Sequence, residues 1–199
     1  TNGAGSIRDW EFAYFGMSGE SVRNYVAQGS FGLWRETGLY LNLALALGGA
    51  DGLGYGASIG RMISHQALSV PSREVLLQSV RGSDSPGEEQ AALCDLMQVM
   101  SDCDIGPGRI EIKHAFPEFS VQRAAFEQDV PLTVHPGIGY DIIHPHPAAS
   151  GGALGRAAHR DFLCFADSLS RIDGGVHITV GSAIMAPMVF EKSMSMANN

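Results

Sequence analysis

The chain reads as an α/β protein, a parallel sheet flanked by helices. Two observations predict this. Helical patterns alternate with short β-branched runs, and such alternation implies parallel strands joined by right-handed crossovers. Glycine and small polar residues also gather at three candidate strand ends, Asn2-Gly3-Ala4-Gly5-Ser6, Gly137-Ile138-Gly139 and Gly181-Ser182-Ala183. Open α/β sheets build their sites at that edge. The 199 residues suffice for one domain with a core of its own. Neither an internal repeat nor a second domain is visible.

In chain order, Ser6-Ile7-Arg8-Asp9 has the serine cap and acidic position of a helix start. Trp10, Phe12, Ala13 and Phe15 supply its apolar content, and Gly16 stops it. Ser18 caps a second helix over Glu20 to Gln28, with Gly29 as its terminator. Leu33 to Leu47 predicts a longer helix with a broad apolar stripe that includes Leu39, Leu43 and Leu47. The glycines of Gly52 to Gly60 have no strand ahead of them, so close helix packing explains them better than phosphate binding. Ser72 to Val80 reads as helix, Arg81 to Gly87 as a polar loop and Glu88 to Met100 as an amphipathic helix. Arg109 to Ile112 is a strand candidate. Pro117 is a first-turn proline for a helix over Glu118 to Gln128, followed by a strand at Leu132 to Val134. Ala157 to Ile172 is helical, Val176 to Val180 alternates as a strand, and Pro187 opens a last helix through Met196.

A net charge of −8 and the lack of any basic run argue against nucleic acid as a partner. No apolar run reaches the ~18 residues of a membrane span. The three cysteines, Cys94, Cys103 and Cys164, are odd in number and lack C-x-x-C spacing, which suits a reducing cytoplasm. Cys94 and Cys164 fall in apolar helical patterns and are expected to be buried. A charged fraction of 17%, with 8 methionines and 25 glycines, suggests apolar surface buried between subunits. The opening Thr1-Asn2-Gly3 reads like the turn after a strand, so an upstream strand is expected to be missing.

The run from Val134 to Pro147 carries the most chemistry. Asp141, His144 and His146 suit acid–base work, with the carboxylate orienting an imidazole. A metal-dependent hydrolase using the same three residues, with His135 or His177 completing the ligand set, is the alternative. The three glycine turns offer backbone N–H groups to an anionic ligand. Glu11 and Glu36 read as buried acids beside aromatic residues, Glu36 paired with an arginine. No G-x-S-x-G elbow occurs.

Several of these stretches together resemble the deoxyhypusine synthase superfamily. Asn2-Gly3-Ala4-Gly5-Ser6 is similar to that family's T-A-G-G turn, and Ile112 to Val121 resembles its I-N-N-P-E-S-V helix start. Asp129-Val130-Pro131-Leu132 is similar to its X-I-P-V strand start. Gly137-Ile138-Gly139-Tyr140-Asp141-Ile142-Ile143-His144-Pro145-His146 resembles D-G-S-L-G-D-M-I-F-F-H, with Asp141 and His146 on the family's aspartate and histidine. The resemblance implies a Rossmann-like fold, NAD as cofactor and a homodimer or homotetramer with sites near the subunit interface. On that register Gly3, Gly5, Ser6, Gly137, Gly139, Gly181 and Ser182 form the cofactor edge, with Asp141, His144 and His146 facing a small substrate. One departure is large. The synthases carry G-G-G-V-x-K-H, whose lysine forms an imine, whereas Met185 stands at that lysine's place here and cannot form one. Deoxyhypusine synthesis is therefore not expected. A non-catalytic assembly module on the same scaffold is the remaining reading.

Overall fold

The computed structural model describes residues 1–18, 21–82 and 87–199. Glu20, where the second helix is expected to begin, and the middle of the Arg81–Gly87 loop lie outside them. The architecture is helical: 59% of the chain is helix, and a two-stranded antiparallel sheet is the only sheet among the described residues. The expected Rossmann-like parallel sheet is thus overturned.

The reason lies in α3, Arg35–Ala50. Leu41, Leu43, Leu45 and Leu47 are all buried, and so are Asn42, Ala44 and Ala46 between them. A helix apolar on every side must be surrounded. It therefore takes the centre that a sheet would occupy, with α1 (Gly3–Phe15), α4 (Tyr55–His65), α6 (Glu88–Asp102) and α8 (Gly151–Ser170) packed around it. Burial of its leucines contributes roughly 1.5–3 kcal/mol per fully buried side chain.

The first helix starts earlier than its sequence suggests. Asn2 is the cap and accepts the Gly5 N–H at 2.8 Å, and Gly16, at φ 75°, closes the helix. The second is shorter, Val22–Ala27, with Ser21 as its cap rather than Ser18. Left-handed Gln66 ends α4 and turns the chain into β1, Ala67–Val70, a strand the sequence reading missed. It pairs antiparallel with β2, Gly108–Glu111, Leu68 opposite Ile110. Helix α5 spans Arg73–Arg81, α7 Val121–Glu127 after a 3-10 turn at Pro117–Phe119, and α9 Met185–Ala197.

Two glycines explain how α4 seats itself. A methyl group on Gly56 would overlap the Leu132 carbonyl oxygen, and one on Gly60 would overlap that of Gln122 at the start of α7. Side chains pin the remaining joints. The Asp9 carboxylate accepts from the Ser120 hydroxyl at 2.7 Å and the Val121 N–H at 2.8 Å, which caps α7 from α1. Arg156 pairs with Asp95 and Arg160 with Glu88, each at 2.8 Å, fastening α8 to α6.

Three local expectations are corrected. Cys94 is exposed and Cys164 half-buried, because each sits off its helix's buried stripe. Glu36 is exposed and forms no ion pair among the described residues. Glu11 is fully buried, as read, and is bound by Arg8 at 3.0 Å.

Candidate functional site

The expected strand at Arg109 to Ile112 is β2, but those at Leu132 to Val134 and Val176 to Val180 join no sheet among the described residues. Between residues 131 and 135 the chain runs parallel to the start of α1 for one step only, the bridge Asn2–His135. The Thr1 amine donates to the Thr133 carbonyl at 2.7 Å, and the His135 N–H to the Thr1 carbonyl at 2.9 Å. The Val134 N–H instead donates to the Asp161 carboxylate of α8 at 2.7 Å. A side chain has taken the donor that a ladder would use. Residues 176–180 are exposed and their backbone has no hydrogen bond among the described residues.

A cavity of about 410 Å3 lies between these two extended segments. Asn2, Thr133 and His135 form one wall, His177, Thr179 and Ser182 another, and Phe165 of α8 stands between the two imidazoles. Its ring meets His135 edge-on at 5.6 Å and His177 at 6.2 Å. His177 also stacks on Phe190 of α9, centroids 4.4 Å apart. Among the described residues no aspartate, glutamate, lysine or arginine lines the cavity. Helices α1 and α9 both begin at its rim. The Ser182 hydroxyl accepts the Ala186 N–H at 3.2 Å, capping α9, and Ser182 itself is left-handed at φ 44°. Met185, standing where the family pattern has lysine, lines this cavity.

Burial drives the His135 imidazole down to about 4, assisted by the nearby N-terminal ammonium, so the ring is neutral at neutral pH. The Thr133 hydroxyl lies 3.3 Å from its Nε2. The rings of His177 and the hydroxyl of Thr179 make no hydrogen bond among the described residues, which leaves them open to a ligand.

Of the residues expected to form the cofactor edge, Ser182 alone lines the cavity; Asn2, which was not among them, lines it too, and Ser6 does not. The Ser6 hydroxyl is buried and donates to Gln122 at 2.5 Å. Gly3 is buried against Asp141, where an added methyl group would overlap the carboxylate. Asp141 thereby places a negative group at the start of α1, a favourable end of the helix dipole. Gly5 is half-buried beside the Asn2 cap, Gly139 and Gly181 are exposed at φ 97° and 68°, and Gly137 lies outside the cavity.

Asp141, His144 and His146 are spent on the backbone. The Gly137 N–H donates to Asp141 at 2.9 Å, and the His144 ring nitrogen lies 3.1 Å from the Gly137 carbonyl. Burial raises the Asp141 carboxyl above its ordinary value, against the Gly137 N–H and His144. His146 Nδ1 accepts the Ala148 N–H at 3.0 Å, and its ring packs on Gly38 of α3. Among the described residues no three of histidine, cysteine, aspartate and glutamate stand close enough to hold a metal ion.

Asp161 escaped the sequence reading. It is 5% exposed and accepts the N–H groups of Gly56 at 3.0 Å and Val134 at 2.7 Å. Burial pushes its carboxyl up to about 6 in spite of those two donors. The signal was its spacing: Ala157, Asp161 and Phe165 recur every four residues on one face of α8.

Three other cavities, of about 430, 400 and 200 Å3, offer less chemistry. In the first, Asp161 is already occupied and Arg160 donates to the Gly49 carbonyl at 2.9 Å. The second is framed by Phe12, Phe116 and Phe119, its one acid, Asp9, being the α7 cap. The third is walled by Leu132, Ala125 and Val130. No family model, curated protein or solved structure matches this chain. Among the described residues no helix is long and apolar enough to cross a membrane.

Proposed function

We propose that this protein binds a nucleotide of the NAD type in the cavity between residues 133–135 and 177–186. The observation that carries the reading is the meeting of Asn2 and Ser182, ahead of α1 and α9, with His135 and His177 around one cavity that no charged side chain lines among the described residues. Its size, about 410 Å3, lies within the range of small-ligand sites, roughly 300–1,000 Å3. Phe165 and the two imidazoles offer aromatic surface to a planar base. The Thr133 and Thr179 hydroxyls and the start of α9 offer donors to an anionic group. NAD as the particular nucleotide comes from the resemblance of Asn2-Gly3-Ala4-Gly5-Ser6 and Gly181-Ser182 to the synthase turns. Binding is the whole of the proposed activity, since Met185 lacks the amine that imine chemistry needs.

Thermal unfolding in millimolar NAD, NADH or ADP-ribose tests the reading, because a ligand of the folded state alone raises its stability. The expected result is a higher melting temperature whose ligand-induced rise His177→Ala diminishes, each protein being compared with its own unliganded melt. No shift with any of the three compounds would sink the proposal.

A further inference from the structure

Residues 176–180, Val-His-Ile-Thr-Val, are a strand without a sheet. Four of the five are β-branched, all are exposed, and none of their N–H or C=O groups is hydrogen-bonded among the described residues. The segment is nevertheless held in place. His177 stacks on Phe190 at one end, and left-handed Gly181 and Ser182 turn the chain into α9 at the other. Side chains alternate along a strand, so Val176, Ile178 and Val180 share one face, and they are 83%, 76% and 89% exposed. An ordered, apolar free edge is a template for another strand.

We propose that the strand it takes is its own copy, paired antiparallel about a two-fold axis at Ile178. The residue pattern names the occupant, because it reads alike in both directions. In the centred register Ile178 meets Ile178 of the second copy, each Val176 meets a Val180, and each His177 meets a Thr179. Branched apolar pairs fall on one face and polar pairs on the other, the combination that stabilises antiparallel neighbours. A slip of one residue sets apolar against polar throughout, and a slip of two leaves a valine unpaired. Such an interface is isologous, as two-fold dimers require. It also brings the copy's Thr179 beside His177 at the cavity wall, so each cavity is completed by the other chain.

Sedimentation velocity over a range of concentrations, with Ile178→Lys beside the wild type, tests this. The expected result is a wild-type dimer whose association weakens at least about tenfold in Ile178→Lys, where two ammonium groups face each other, while helical circular dichroism is unchanged. Under oxidation Ile178→Cys should give a 178–178 disulfide, identified by mass spectrometry, and Val176→Cys no 176–176 disulfide. A wild type monomeric throughout, an association that Ile178→Lys leaves intact, or equal linkage at both positions would overturn the proposal.

Discussion

Segments 131–135 and 176–180 carry nearly the same sequence signal and meet opposite ends. Pro-Leu-Thr-Val-His and Val-His-Ile-Thr-Val both contain β-branched residues, both have glycine at or near an end, and both run without turn or bend. Val134 is fully buried, with its N–H on Asp161 and its neighbour His135 bridged to Asn2. Val180 is 89% exposed and its backbone is unbonded among the described residues. β-branching thus dictates an extended backbone but not a partner for it. What decides is the neighbour: α8 supplies a carboxylate beneath the first segment, and nothing comparable underlies the second.

The largest test of this contrast is Asp161→Ala. It strands the N–H groups of Gly56 and Val134, at a cost of about 1–3 kcal/mol for each buried donor, and denaturant unfolding should record the loss. Val134→Ala should follow at about 2 kcal/mol, from two lost methyl groups and the void they leave. Val180→Ala, by contrast, should stay within about 0.5 kcal/mol when measured on the monomer. Equal losses at 134 and 180 would break the comparison.

Acid offers a finer probe. His114 is buried against Trp10 and Tyr14, its ring nitrogens make no well-formed hydrogen bond among the described residues, and burial drives it down to about 4, opposed by the nearby Ile112 backbone. His135 is depressed to about 4 as well. The unfolded chain therefore binds more protons at these sites as pH falls from about 6.5 towards 4, and their contribution to stability is lost across that window. Asp161 has the opposite sign. Raised from 3.8 to about 6, its contribution is present below 3.8 and lost as pH rises through about 6. Acid titration of unfolding should show a net loss between 6.5 and 4, steeper in Asp161→Asn, which removes the opposing group, and shallower in His114→Phe.

Helices α5 and α6 were legible in the sequence from their apolar spacing, with Ser72 capping α5 and the Gln90 side chain accepting the Gly87 N–H at 2.8 Å where α6 begins; α8 starts at Gly151 under a Ser150 cap, ahead of the expected Ala157. The parallel sheet was misread for a physical reason. Alternation of helical and β-branched runs fixes local conformation, whereas the arrangement depends on what fills the centre, and α3 is apolar on all sides rather than along one stripe. Strand β1 was hidden because Ala67-Leu68-Ser69-Val70 is only four residues long and opens without a turn signal. At the candidate site, the glycine turns pointed to Ser182, whereas the expected Gly3, Gly5, Ser6, Gly137, Gly139 and Gly181 do not line the cavity, and titratable chemistry pointed to Asp141, His144 and His146. Those side chains hold backbone instead, and only the folded chain shows that Phe165 and His177 face the cavity.

The most direct measurement is a map of backbone amide chemical shifts during titration with NAD. The account predicts changes centred on Asn2, His135 and residues 177–186, with the loop from Asp141 to His146 moving less. No perturbation at saturating NAD, or perturbation confined to residues 141–146, would contradict it.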